Sequence, residues 1–121
     1  MSYFQPQEFA CQCGKCGMGF NQMKPSTLSK LNQARQIAGV PFVITSAYRC
    51  QDHNLAVGGK PNSAHTRGYA VDIKVQNSVA AMSILKGLLA AGFNRVGYNS
   101  RLKFFHVDDD PSLPANVFFD Y

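Results

Sequence analysis

Apolar residues recur at Leu28, Leu31, Ala34, Ile37 and Ala38, the three- and four-residue spacing of one helix face. Pro25 suits the first turn of such a helix and Gly39 stands where it would stop, so the pattern predicts an amphipathic helix over 25–38. The next apolar run, Pro41-Phe42-Val43-Ile44-Thr45-Ser46, is short and β-branched, and reads as a buried strand. Residues 69–75 alternate cleanly, with Val71, Ile73 and Val75 on one face and Ala70, Asp72 and Lys74 on the other. Asp72 therefore points away from the core. Asn77-Ser78 can cap a second helix running to Ala91, which Gly92 ends. Residues 95–98 and 102–108 read as two further strands around a turn at Asn99-Ser100. In the second of them Phe105 and Val107 share one face while Phe104, His106 and Asp108 share the other, which makes His106 and Asp108 neighbours. The tail, with Pro111, Pro114 and Val117-Phe118-Phe119, is expected to cross back as an edge segment.

Two stretches lack a period. The first 24 residues place Gly14, Gly17 and Gly19 among cysteines and read as an irregular segment that something must staple. Residues 47–68 are polar and glycine-bearing, and apart from a helical turn at 52–56 they are expected to form a long ordered loop, a usual carrier of function. The expected fold class is α+β, a small antiparallel sheet with the helices 25–38 and 78–91 on one face. With 121 residues, close to half of them apolar, the chain suits a single domain, 1–121, with a cysteine-bearing N-terminal segment, 1–24.

Charge narrows the partners only slightly. A formal net charge of +5, scattered without runs, suits a polyanionic partner and does not choose among nucleic acid, a membrane surface and the acidic bacterial wall. The apolar stretches are too broken for membrane insertion, and residues 1–6 show neither a basic region nor an apolar core of a signal peptide. Cys11, Cys13 and Cys16 crowd one segment while Cys50 sits alone. Three states stay open for them: free thiols, a bridge from the cluster to Cys50, or a zinc site made by all four. A nucleic-acid zinc ribbon is disfavoured, because the chain shows no second paired half-site and no aromatic and basic stripe.

The strongest chemical signal is local. Ser63-Ala64-His65-Thr66-Arg67-Gly68-Tyr69-Ala70-Val71-Asp72 resembles the Ser-x-His-x-x-Gly-x-Ala-x-Asp signature of the zinc D-Ala-D-Ala metallopeptidases, which share a hedgehog-like zinc peptidase fold. Ile44-Thr45-Ser46-Ala47-Tyr48-Arg49 with Asn54 and Val57-Gly58-Gly59 is similar to the segment before that signature, and Phe104-Phe105-His106-Val107-Asp108 to its closing strand. Residues 8–14 resemble the opening of the branch found in phage endolysins. The resemblance implies that His65, Asp72 and His106 hold Zn on the sheet face opposite the helices, leaving one corner for a water that ionises near neutral pH. It also implies that Arg49 binds a substrate carboxylate or polarised carbonyl. Ser63 would bind the substrate or shape the loop.

One departure bears on mechanism. Relatives carry an acid three residues before the last zinc His, or a His two before it, and here Lys103 and Phe104 stand there. Asp108 is then the nearest carboxylate for a general base, with orientation of a ligand as its rival role. Tyr98 is a candidate donor to the oxyanion. His53 is expected to be a loop-packing residue, and Asp109 and Asp110 a solvated strand end. The expected function is a zinc-dependent peptidoglycan peptidase, a carboxypeptidase or an endopeptidase acting on stem or bridge peptides. The expected setting is a phage lysis enzyme, monomeric, held in the cytoplasm before release to the wall, or virion-associated. The alternative is a non-catalytic zinc-containing wall-binding or virion module.

Overall fold

The computed structural model describes residues 3–121. Helix α1, Pro25–Ala38, starts on its proline and ends at Gly39, which takes a left-handed conformation. Leu31 and Ala34 are fully buried, whereas Ile37, the outermost residue of the expected stripe, stays half exposed. Strand β1, Ile44–Ser46, leads through the polar loop and the short helix α2, Gln51–Ala56, to a 3-10 turn at Ala64–Arg67 and strand β2, Ala70–Lys74. Helix α3, Ser78–Ala90, follows, with the Asn77 side chain accepting from the Ala80 N–H at its start. Strands β3, Arg95–Asn99, β4, Phe104–Asp108, and β5, Val117–Asp120, complete the chain.

The five strands form one sheet in the order β1-β2-β4-β3-β5. Adjacent pairs are antiparallel except β3 with β5, which run parallel. The antiparallel expectation is thus corrected to a mixed sheet, because the proline-bearing stretch after β4 carries the tail back across β3 before it joins the edge. Val71, Ile73, Val96, Phe105 and Val107 from the strands share one apolar cluster with Leu31, Ala34, Ile84 and Leu88 from the two long helices. The helices approach closely because Gly87 faces α1: a methyl group there would collide with the Ala34 carbonyl and lie 3.0 Å from the Ala38 Cβ. Such a core of interdigitated aliphatic and aromatic side chains fixes the strand register.

The N-terminal segment is irregular, as its lack of period predicts, with 3-10 turns at Pro6–Phe9 and Phe20–Gln22. Phe4, Phe9 and Met23 anchor it in the core. Among the described residues no helix is long and apolar enough to cross a membrane.

Candidate metal centre

Register brings the site together. In the β2–β4 pair Asp72 lies directly opposite His106, and in the β3–β4 pair Gly97 lies opposite His106. Since side chains alternate along a strand, Asp72 and His106 emerge on the same side of the sheet. His65 arrives from the 3-10 turn before β2, whose N-cap Ser63 accepts the His65 backbone N–H at 3.2 Å. Ser63 thus shapes the loop that presents the imidazole. One ligand atom from each of His65, Asp72 and His106 lies within 4.8 Å of the others, and all three residues are buried.

The outer hydrogen bonds decide the tautomers. His65 Nδ1 is 2.6 Å from the Ala47 carbonyl, which only accepts, so Nδ1 carries the proton and Nε2 turns its lone pair inward. His106 Nε2 is 2.8 Å from Asp108 Oδ2, so Nε2 carries the proton and Nδ1 turns inward. Both inward nitrogens converge on Asp72 Oδ1, at 3.2 Å from His65 and 3.1 Å from His106. Zinc bonded to nitrogen or oxygen at about 2.0–2.1 Å sets tetrahedral edges of roughly 3.3 Å, which these separations match. Once a metal replaces any proton between them, these three atoms converge as lone-pair donors that could hold a cation, and the donor set of two imidazoles and one carboxylate fits zinc.

Electrostatics agree with this arrangement. Burial pushes the His65 imidazole below its ordinary pKa, which keeps it neutral. Burial alone would raise the Asp72 carboxyl, yet the charges and hydrogen bonds of His65 and His106 hold it well below the usual carboxylate range. For His106 burial acts downward, and the hydrogen bonds and charges of Asp108 and Asp72 outweigh it, leaving its pKa raised. A metal ion at Nδ1 would displace that extra proton.

Arg49 borders the same group. Its guanidinium is 3.5 Å from Asp72 Oδ2, donates to Asn54 Oδ1 at 3.2 Å and to Ser46 Oγ at 3.2 Å, and is buried. Asp108 is wholly buried and occupied on both oxygens: Oδ2 holds His106, while Oδ1 accepts from Arg95 Nε at 2.8 Å and from the Asp110 N–H at 3.2 Å. Tyr98 lies elsewhere. Its ring packs on Phe105 at 5.0 Å, on the core side of the sheet, because it pairs in register with Phe105 rather than with His106. His53 stands in α2 by Cys50, whose Sγ accepts its backbone N–H at 3.4 Å. Asp109 and Asp110 are not the expected solvated strand end: Thr27 and Lys30 hold Asp109, and Arg67 and Ser112 hold Asp110.

The aromatic tail was hidden from the motif. Tyr121 stacks on His106 with ring centroids 4.2 Å apart and planes 14° from parallel, and Phe119 lies 5.9 Å from the same ring. Gly97 makes room for this, since a methyl there would come within 2.6 Å of Phe119 Cε2 and 3.0 Å of Tyr121 Cβ. The alternation of 117, 119 and 121 against 118 and 120 is the signal that puts both rings on one face. Arg95 was also missed; its register opposite Asp108 is the clue.

Comparison with known proteins accords with this geometry. A sequence model of the family described as peptidase M15 matches residues 2–108, a span that contains His65, Asp72, His106 and Asp108 and excludes β5. The chain is 30% identical over 95 residues to the peptidoglycan L,D-endopeptidase MepK of Escherichia coli K12, covering 73% of this chain and 52% of that protein. The same figures hold for the MepK of Shigella flexneri. The chain thus spans about half the length of the curated relatives it matches.

Proposed function

Because the chain belongs to the peptidase M15 family of zinc D-Ala-D-Ala carboxypeptidase-like enzymes, we propose that it is a zinc-dependent peptidase that hydrolyses amide bonds in the peptide portion of bacterial peptidoglycan. The observation that carries this reading is the convergence of His65 Nε2, His106 Nδ1 and Asp72 Oδ1, each oriented by a partner on its far side. His65, Asp72 and His106 are the metal ligands, on the sheet face opposite α1 and α3. A bound Zn²⁺ supplies a Lewis acid and lowers the pKa of its water to about 7.

The chain's own groups prepare the reaction. Ala47 and Asp108 fix the ring orientation and tautomer of the two imidazoles, which keeps their free nitrogens on the metal. We assign Asp108 this positioning role rather than proton transfer, since neither oxygen is open to a substrate. Arg49, buried beside Asp72 and held by Ser46 and Asn54, would reach a substrate carboxylate or carbonyl through the guanidinium N–H donors that these contacts leave over. Tyr121 and Phe119 form an aromatic wall over His106 that excludes water and receives the apolar part of a stem peptide. The net positive charge favours approach to the anionic wall. Residues 8–14, with their likeness to phage endolysins, support a phage lysis setting.

The test is digestion of purified peptidoglycan by the protein as isolated, after chelation, and after zinc is restored. Free amino groups and masses of the released muropeptides are measured. Amide hydrolysis that disappears with the chelator and returns with zinc is expected, and the fragments identify the bond. A second reading, a zinc-holding module that binds the wall without cutting it, is favoured by Lys103 and Phe104 at the positions where relatives carry an acid or His, and by the full engagement of Asp108. Binding to peptidoglycan without hydrolysis in any metal state would select it.

A further inference from the structure

A second cluster of donors lies apart from the three residues above. Cys11, Cys13, Cys16 and Cys50 each place a sulfur within 4.8 Å of the other three, and none is in a disulfide. Four sulfurs around one zinc at about 2.3 Å would be separated by roughly 3.8 Å, a spacing that lies within the 4.8 Å that bounds all four. Each sulfur also accepts a backbone N–H. Cys13 Sγ accepts from Lys15 and Cys16 at 3.3 Å, Cys16 Sγ from Met18 at 3.4 Å, Cys11 Sγ from Cys50 at 3.3 Å, and Cys50 Sγ from His53 at 3.4 Å. Amide donors aimed at sulfur stabilise thiolate charge, which a neutral thiol does not need.

The local backbone is shaped for this. Gly14 and Gly17 both have positive φ, at 72° and 67°, so the chain turns back on itself twice between Cys13 and Met18. Cys50 is the N-cap of α2, and its sulfur meets the cluster from the far side. An open hollow of about 440 Å³ adjoins the sulfurs, lined by Lys15, Asp52 and His53 beside Cys13, Cys16 and Cys50. Lys15 there offsets part of the double negative charge that four thiolates leave on a divalent ion.

We propose that Cys11, Cys13, Cys16 and Cys50 form a second, structural zinc site with all four corners filled by sulfur. The four thiol protons pass to solvent on binding, and no electrons are exchanged. This closed site supplies the staple that the irregular N-terminal segment needs, joining residues 11–16 to the residue that follows Arg49. It thereby ties a loop of the N-terminal segment to the Arg49–Asp72 contact. The inference stands without the peptidase reading, because it uses none of the same side chains.

Metal analysis of the full chain separates the two sites. Purified under reducing conditions from zinc-supplemented medium, the wild type is expected to hold two zinc ions per chain. A His65→Ala/His106→Ala double variant is expected to keep one, and when loaded with cobalt it should show the intense sulfur-to-cobalt charge-transfer band of a four-thiolate site. A Cys13→Ser/Cys16→Ser variant should lose that band and keep the other ion. Should the serine variant fail to fold, the cobalt spectrum of the histidine variant decides alone. A histidine variant that takes up no metal, one that binds cobalt without the sulfur band, or a wild-type intact mass two hydrogens light for a Cys50 disulfide overturns the proposal.

Discussion

The two donor clusters differ in what holds them. His65, Asp72 and His106 are buried, two of them on hydrogen-bonded strands of the sheet, and each imidazole is braced from behind by Ala47 or Asp108. Three of the four sulfurs are only partly buried, and they sit on loops braced by backbone N–H groups. The first arrangement is built into the sheet and core, whereas the second, as proposed, would draw its rigidity from the ion that closes its loop. On the proposed reading, a metal on the strands would govern chemistry and a metal on the loop would govern stability.

That contrast breaks first at the histidines. His65→Ala removes an inward nitrogen, and the rate of amino-group release from peptidoglycan is expected to fall about 10³-fold or more. Its far-ultraviolet circular dichroism should stay native. Next comes Asp108→Asn, which keeps the shape but removes the charge facing His106 and Arg95. Zinc affinity at the strand site, read by competition with a chelating dye, should weaken about 10–100-fold. A lower turnover with unchanged affinity would instead restore Asp108 as a base.

Cys16→Ser addresses the loop. Its melting temperature should drop by about 10 °C relative to zinc-loaded wild type, with the difference disappearing once both are stripped of metal. The smallest effect is expected for Gly97→Ala, whose methyl would press on Phe119 Cε2 at 2.6 Å. The displaced aromatic tail should cost about 1–2 kcal/mol in urea denaturation and leave zinc content untouched.

Much of this fold was legible because each long helix and central strand turns one apolar face to the common core. The spacing of Leu28, Leu31 and Ala34, and the alternation of Val71, Asp72 and Ile73, carry period and orientation together, so Asp72 could be assigned to the side of its strand that faces away from the apolar core. The direction of β5 was not legible, since antiparallel or parallel pairing depends on where the stretch after β4 crosses, a choice made by tertiary contacts such as Arg67 with Asp110 and Arg95 with the Pro114 carbonyl. The three candidate ligands were marked by a motif, but the groups that brace them were not. Ala47 contributes a carbonyl that no residue type announces, and Arg95 and Tyr121 reach the site only through register and stacking. Likewise, the spacing of Cys11, Cys13, Cys16 and Cys50 left free thiols, a bridge and a shared zinc all open, because the four sulfurs come together only once α2 is placed against the N-terminal loop.

The central claim, that His65, Asp72 and His106 hold a metal on which amide hydrolysis depends, is tested most directly on the Cys13→Ser/Cys16→Ser background. There the only zinc left is at the strands, and mass spectrometry of peptidoglycan fragments can be followed as that zinc is removed and returned. The account predicts fragments that gain one water per cut, appearing in proportion to strand-site zinc. Cleavage that persists in fully metal-free protein, or zinc that remains bound after both histidines are replaced, would contradict it.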